Sequence, residues 1–103
     1  MSYPADGFAV TVTTAGNPVP LASKTLLCRT FLVQAIQANN VTNTGAIVLG
    51  TAALTKSTGK GVMGYFGQGA FFSPPLVGNQ DYDLSQVYLD AYNNGDGVIV
   101  TPL

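Results

Sequence analysis

Glycine, proline and asparagine interrupt this chain so often that no long regular segment fits between them. The 103 residues include 12 Gly and 6 Pro, two residue types that disfavour the interior of a helix. Between the interruptions lie short runs in which apolar side chains recur at every second position, the spacing of a half-buried strand. The sequence therefore predicts an all-β protein of one domain, residues 1–103, folded as an antiparallel β-sandwich or small barrel of about six to eight short strands.

The clearest such pattern lies near the end of the chain. Residues 83–92 and 98–101 are rich in Val, Ile, Leu and Tyr, and they flank residues 93–97, which are Asn-Asn-Gly-Asp-Gly. Gly and Asn supply the positive φ that tight turns require. This arrangement predicts a β-hairpin. Alternation in its first strand predicts a core face of Val87, Leu89 and Ala91 and an outer face of Tyr88, Asp90 and Tyr92.

Other strands are predicted by the same argument. In residues 8–14, Phe8, Val10 and Val12 share one face. Residues 29–38 are compatible with a short helix by composition, but their alternation favours a strand. They lead through Asn43-Thr44-Gly45 into residues 46–50, which predicts a second hairpin. Residues 16–23, with two prolines, are predicted as a loop, and residues 70–73 as a short strand.

The sequence predicts regular secondary structure in neither of two segments. Residues 1–7 are predicted to be an N-terminal arm, and residues 51–69 a long loop with glycines at five positions. Long loops in small domains are commonly functional, so both segments are candidate contact surfaces. The side chains expected to contact partners are Tyr3, Tyr65 and Phe66 as apolar anchors, Lys56 and Lys60 as rim charges, and Tyr88 and Tyr92, with Ile99, in contacts between copies of the chain.

Composition narrows the possible partners. Charged residues make up only 9% of the chain and the net charge is −1, with no basic stripe that would neutralise phosphates. No apolar run approaches the roughly 20 residues of a membrane helix. We therefore expect neither nucleic acid nor membrane as a partner. The single Cys28 is expected to be a buried thiol, and the N-terminus lacks a signal-peptide pattern, which indicates synthesis in a reducing cytoplasm.

The sequence predicts no catalytic residues, cofactor or metal. Histidine, glutamate and tryptophan are absent, which excludes a Ser-His-Asp triad and a histidine-ligated metal. Residues 59–64 match G-x-G-x-x-G, but no helix is predicted after them, as a dinucleotide site would require. Asp81, Asp83, Asp90 and Asp96 lack the calcium-loop spacing. We interpret Asp96, Asn93 and Asn94 as turn residues.

Several segments together resemble small virion proteins of tailed bacteriophages, including capsid decoration (cement) proteins. They are residues 31–38, the Asn43-Thr44-Gly45 turn with Val48-Leu49-Gly50, Asp83-Leu84-Ser85, and Gly95-Asp96-Gly97-Val98. The resemblance implies a non-enzymatic all-β subunit that binds the major capsid protein on the exterior of the virion, is made in the host cytoplasm, and self-associates as a homotrimer. The alternative is a tail or fibre adhesion module, or a carbohydrate-binding module with tyrosines as stacking surfaces.

Overall fold

The computed structural model of the chain describes residues 7–76 and 78–103, and these form twelve strands. The first six are β1 (Phe8–Thr11), β2 (Val19–Pro20), β3 (Leu27–Cys28), β4 (Phe31–Gln34), β5 (Ile36–Gln37) and β6 (Val41–Thr42). The others are β7 (Ile47–Thr55), β8 (Lys60–Phe66), β9 (Phe71–Phe72), β10 (Tyr82–Asp83), β11 (Tyr88–Ala91) and β12 (Gly97–Pro102). Two single-turn 3-10 segments, Ala38–Asn40 and Leu84–Gln86, complete the regular structure of the described residues.

The strands form a β-sandwich, which confirms the predicted fold class, although there are more strands than predicted. One four-stranded antiparallel sheet, here the first sheet, has the order β1-β12-β4-β9. The second sheet has the order β2-β11-β7-β8. Two small ribbons, β10-β3 and β5-β6, lie beside them.

The core lies between the two sheets and follows from strict alternation in the strands. Phe31 and Val33 of β4 are fully buried, whereas Leu32 and Gln34 between them are only partly buried. Phe31 and Val33 belong to a hydrophobic cluster to which each central strand contributes one face. Its other members from these strands are Val98, Val100, Ile47, Leu49, Leu89 and Ala91. Burying a side chain of this size contributes about 1.5–3 kcal/mol. This shared apolar layer holds the sheets together.

The predicted hairpin of residues 83–101 is wrong in its pairing, although its strands and turn exist. β11 pairs with β2 and β7 in the second sheet, and β12 pairs with β1 and β4 in the first. Residues 93–96 thus carry the chain from one sheet to the other. A backbone hydrogen bond from Gly95 to Val12 joins this turn to the end of β1.

The second predicted hairpin is wrong for the same reason. β4 belongs to the first sheet and β7 to the second, so residues 35–46 are a connection between sheets. Within it β5 and β6 pair as a small ribbon around Asn39 and Asn40, whose φ angles are 59° and 64°. Asparagine is among the few residues that tolerate this left-handed conformation.

The predicted loop of residues 51–69 is largely a hairpin of β7 and β8, joined by a turn at residues 56–59. Its glycines serve close packing. A side chain on Gly50 would collide with the Gly61 carbonyl oxygen and lie 2.9 Å from Leu54 Cδ1, and Gly61 itself has a φ of 75°. Glycine therefore permits a sharp local fold of the hairpin here.

The remaining predictions are settled by local structure. β1 and β9 lie within the predicted strands at residues 8–14 and 70–73 but are shorter than predicted, and Cys28 is buried in β3 as expected. The predicted loop of residues 16–23 contains the short strand β2, whose Pro20 lies on a sheet edge, where proline is tolerated. Of the predicted arm, residues 1–6 lie outside the described residues, and Gly7 is exposed.

Candidate interaction surface on the second sheet

The outer face of the second sheet carries the aromatic residues predicted to contact partners. Register places Tyr88 opposite Gly50, and Gly50 opposite Val62, in one row across the sheet. The next row runs from Asp90 through Val48 to Tyr65. Because neighbours across a sheet point to the same side, the side chains of both rows project away from the core.

Tyr65 and Tyr92 form the exposed centre of this face. Their side chains are 65% and 44% exposed, their ring centroids lie 6.0 Å apart, and their planes make an angle of 73°. Lys56 Nζ lies 4.8 Å from the centre of the Tyr92 ring, within the range of a cation–π contact. We name these three residues, together with the exposed Val62, the tyrosine patch.

Lys56 reaches the patch because the tip of the β7–β8 hairpin folds back over the outer face. Val48 and Leu54 are 1% and 5% exposed, yet neither belongs to the cluster between the sheets. They form a small apolar layer on the outside of the sheet. From this position the Lys56 ammonium donates a hydrogen bond to the Ala91 carbonyl and lies 4.0 Å from an Asp90 carboxylate oxygen.

Asp90 is buried beneath the patch and links three segments. Its Oδ1 accepts hydrogen bonds from the backbone N–H of Gly16 at 2.9 Å and of Ala91 at 2.8 Å, and Lys56 supplies the compensating charge. A buried carboxylate is costly without such partners. Asp90 therefore holds the hairpin tip and residues 13–17 against β11, and it positions the Lys56 side chain beside Tyr92.

The residues predicted to contact partners do not all reach this surface. Tyr88 is half-buried on the same outer face, and Lys60 is exposed at the start of β8. Phe66 is only 7% exposed and stacks on Phe72 inside the sandwich, so its predicted role as a surface anchor is wrong. Tyr3 lies outside the described residues.

Ile99, predicted to share a contact surface with Tyr88 and Tyr92, lies on the opposite side of the sandwich. It is opposite Gln34 in the first sheet, on the outer face that also carries the exposed Phe71. The sequence pattern placed Ile99 on an outer strand face correctly, but pairing put that face on the other sheet.

Sequence reasoning missed two parts of the surface. Val62 and Leu54 were assigned to a loop, and Asp90 was placed on the outer strand face without its role in joining segments. Alternation across residues 60–66 could have identified Val62, except that β8 has one extra residue, Met63, between the Gly50–Val62 and Leu49–Gly64 pairs. Such a bulge shifts every later side chain to the other face.

The interpretation of Asp96 as a local turn residue is incomplete. Its buried carboxylate accepts hydrogen bonds from the backbone N–H of Thr44 and of Gly45, both at 2.9 Å, and from Gln37 Nε2 at 3.2 Å. The buried Asn43 side chain exchanges two hydrogen bonds with the backbone of Gly97, at 2.8 and 3.0 Å. These contacts join the two connections between the sheets.

The described residues offer little else that resembles a chemical site. No group of three or more His, Cys, Asp or Glu side chains lies close enough within them to hold a metal ion. Residues 59–64 form a turn and strand rather than opening a helix, so they do not make a dinucleotide site. A shallow groove of about 400 Å³ lies between Phe8 and residues 21–26, and its lining is mainly apolar.

Charge is sparse on the described surface and much of it is used within the chain. Arg29 lies 3.7 Å from Asp81, Lys56 is held by Asp90, and Asp83 accepts hydrogen bonds from Ser85 and Leu26. Neither Lys24 nor Lys60 forms an ion pair with an acidic residue in the part of the chain that the structure describes. The tyrosine patch thus combines apolar and aromatic side chains with one cation, Lys56, whose charge is neutralised by Asp90, a composition found at protein interfaces.

No family model, curated protein or solved structure matched the chain in the comparisons. Within residues 7–76 and 78–103, no helix is long and apolar enough to cross a membrane.

Proposed function

We propose that this protein is a non-enzymatic structural subunit of a tailed-bacteriophage particle, a decoration protein that binds the major capsid protein on the outside of the shell and stabilises it. The observation that carries the proposal is the tyrosine patch, together with the sequence resemblance. Two exposed tyrosines meet on a sheet face with little free charge, and tyrosine is enriched among the residues that dominate binding energy at interfaces.

The β-sandwich supports this function because it presents the patch on hydrogen-bonded strands of the second sheet. Tyr65 is fixed in β8, and Tyr92 follows β11, where its backbone N–H donates to the Ala46 carbonyl. Lys56 packs over the Tyr92 ring. Ordering these side chains before binding lowers the entropy cost of association.

The test measures binding of the purified chain to capsids that lack it. We expect the double substitution Tyr65→Ser and Tyr92→Ser to weaken binding at least about tenfold, because both rings would lose their buried contacts. The matched control is Phe71→Ser, a similarly exposed aromatic on the first sheet. Unchanged binding of the tyrosine variant, with the fold intact, would place the capsid contact elsewhere.

Self-association, as a trimer, belongs to the same proposal and rests on the resemblance. Since Ile99 lies on the first sheet and Tyr88 on the second, a ring would join unlike faces of neighbouring subunits, the type of contact that closes a cyclic oligomer. Sedimentation of the free chain and of Ile99→Lys and Tyr88→Lys variants tests this. A monomer at every concentration and on the particle would refute it.

Carbohydrate binding, as part of a tail or fibre adhesion module, is the second candidate. The Tyr65 and Tyr92 rings, whose planes make an angle of 73°, favour it, since one ring could stack on a sugar face while the other lines its edge. Copy number separates the two functions, because a shell subunit occurs in many copies per virion and a tail-tip adhesin in few. Binding to host polysaccharide that Tyr65→Ser abolishes would favour the adhesin.

A further inference from the structure

The chain contains a single Asn-Gly pair, Asn94–Gly95, in the turn between β11 and β12. In such a pair the glycine nitrogen can attack the asparagine side chain, because glycine has no side chain to obstruct the approach. A bond forms between Gly95 N and Asn94 Cγ, the bond from Cγ to Nδ2 breaks, and ammonia leaves with the proton of Gly95 N. Water then opens the cyclic imide at either carbonyl, which yields aspartate or isoaspartate.

The fold holds both reacting groups in other contacts. The Gly95 N–H donates a 2.8 Å hydrogen bond to the carbonyl of the buried Val12. Asn94 Oδ1 accepts a 2.8 Å hydrogen bond from the backbone N–H of Ala15. Attack requires Gly95 N to lose its proton and approach Asn94 Cγ, so its hydrogen bond to Val12 must be lost first. The contact with Ala15 restrains the rotation of the Asn94 side chain that this approach needs. Although Asn94 is exposed to water, the N–H of its attacking residue is held by the Val12 carbonyl.

We propose that Asn94–Gly95 is a deamidation site gated by the fold, suppressed while the turn is bound to residues 12–15 and reactive when that contact opens. The two products differ in effect. Aspartate keeps the backbone and an oxygen that accepts from Ala15. Isoaspartate routes the backbone through the side chain and lengthens the turn between Tyr92 and Asp96, which displaces the Asp96 carboxylate from Thr44 and Gly45.

Deamidation is measured by peptide mass analysis after incubation at mildly alkaline pH, in buffer and in urea, beside a synthetic peptide of residues 91–97. We expect conversion in the folded protein to be roughly ten- to hundredfold slower than in urea, because the Gly95 hydrogen bond must break and the Asn94 side chain is restrained by Ala15. The unfolded chain should match the peptide. Equal rates in the folded and unfolded chain overturn the proposal, and so does an unreactive peptide.

Two further measurements separate gating from a general effect of stability. Amide exchange at Gly95 and deamidation at Asn94 should rise together as urea is added below the unfolding transition. Deamidation that proceeds while the Gly95 amide stays protected contradicts the gate. In the control variant Asn94→Gln the site should show no conversion, since the longer side chain disfavours ring closure. Asn94→Asp should keep the unfolding midpoint of the starting protein, whereas a lowered midpoint contradicts the distinction between the products.

Discussion

At the scale of single residues, the acidic side chains act as connectors between distant segments. Asp96 accepts hydrogen bonds from residues 37, 44 and 45, and Asp90 joins residue 16 to β11 and to Lys56. Both are nearly fully buried. Both side chains stabilise the fold by accepting hydrogen bonds from backbone N–H groups of the irregular connections, which would otherwise be buried without partners.

Replacing Asp96 with Ala should lower the free energy of unfolding by about 2–4 kcal/mol, because the N–H groups of Thr44 and Gly45 lose a charged acceptor. Urea denaturation followed by circular dichroism measures this. The control is Asp81→Ala, which removes a solvent-exposed ion pair with Arg29 and should cost less than about 1 kcal/mol. Equal effects of the two substitutions would show that the Asp96 contacts contribute little.

The hydrogen bonds of Asp83 lead us to expect that the stability of the protein depends on pH. Hydrogen bonds from the Ser85 hydroxyl and backbone, and from the Leu26 N–H, lower the pKa of its carboxyl. The folded state therefore binds fewer protons than the unfolded state near that pKa. The stabilisation is complete above the ordinary aspartate value of about 4 and is lost as pH falls through the lower folded value.

The measurement compares the urea midpoints of the starting protein and Asp83→Asn at neutral pH and near pH 3. The difference between them should be largest at neutral pH and shrink on acidification. Ser85→Ala should reduce the same difference, since it removes the largest cause of the lowered pKa. A difference independent of pH would rule out this role for the Asp83 charge.

At the scale of elements, the β7–β8 hairpin depends on glycines that allow its two strands to approach closely. Gly50→Ala should destabilise the protein by roughly 2 kcal/mol or more, because the added carbon overlaps the Gly61 carbonyl oxygen and the hairpin must shift. Gly67→Ala is the matched control, since nothing lies within 4 Å of its new carbon. Thermal unfolding of both variants tests the prediction, and equal melting temperatures would contradict the tight approach.

At the scale of the whole molecule, strands distant in sequence are neighbours in both sheets. The first strand, β1, pairs with the last, β12, from Phe8 opposite Val100 to Thr11 opposite Gly97. In the second sheet β2 pairs with β11. A fold built from such pairs must close long loops before its contacts form, which slows folding.

We therefore expect refolding on the millisecond-to-second timescale and a single unfolding transition seen alike by tyrosine fluorescence and circular dichroism. Stopped-flow dilution from urea measures the rate. Native-state amide exchange provides the control, because β11 and β12, which lie in different sheets, should open together. Separate opening of the two sheets would show that the shared core does not couple them.

The residues of the candidate site show what local sequence patterns can predict and what they cannot. Tyr65, Tyr92 and Lys56 were named from the sequence, and the structure brings them together. Phe66 was named beside Tyr65, but adjacent residues in a strand point to opposite faces, so only one of the two could be exposed. The bulge at Met63 and the pairing of Val48 with Tyr65 decide that it is Tyr65.

Local patterns in the sequence identify the chain as all-β, locate several strands and turns, and show which side chains alternate, because these features depend on neighbouring residues. The pairing of the strands is visible in the three-dimensional fold alone. An Asn/Gly turn such as residues 93–96 can return a strand to its own sheet or carry it to the opposite one. The choice depends on where distant strands find partners: β12 lies between β1 and β4, and β11 between β2 and β7. This choice of pairing partners depends on residues that are distant in sequence. It also places the tyrosines and Ile99 on opposite sides of the molecule.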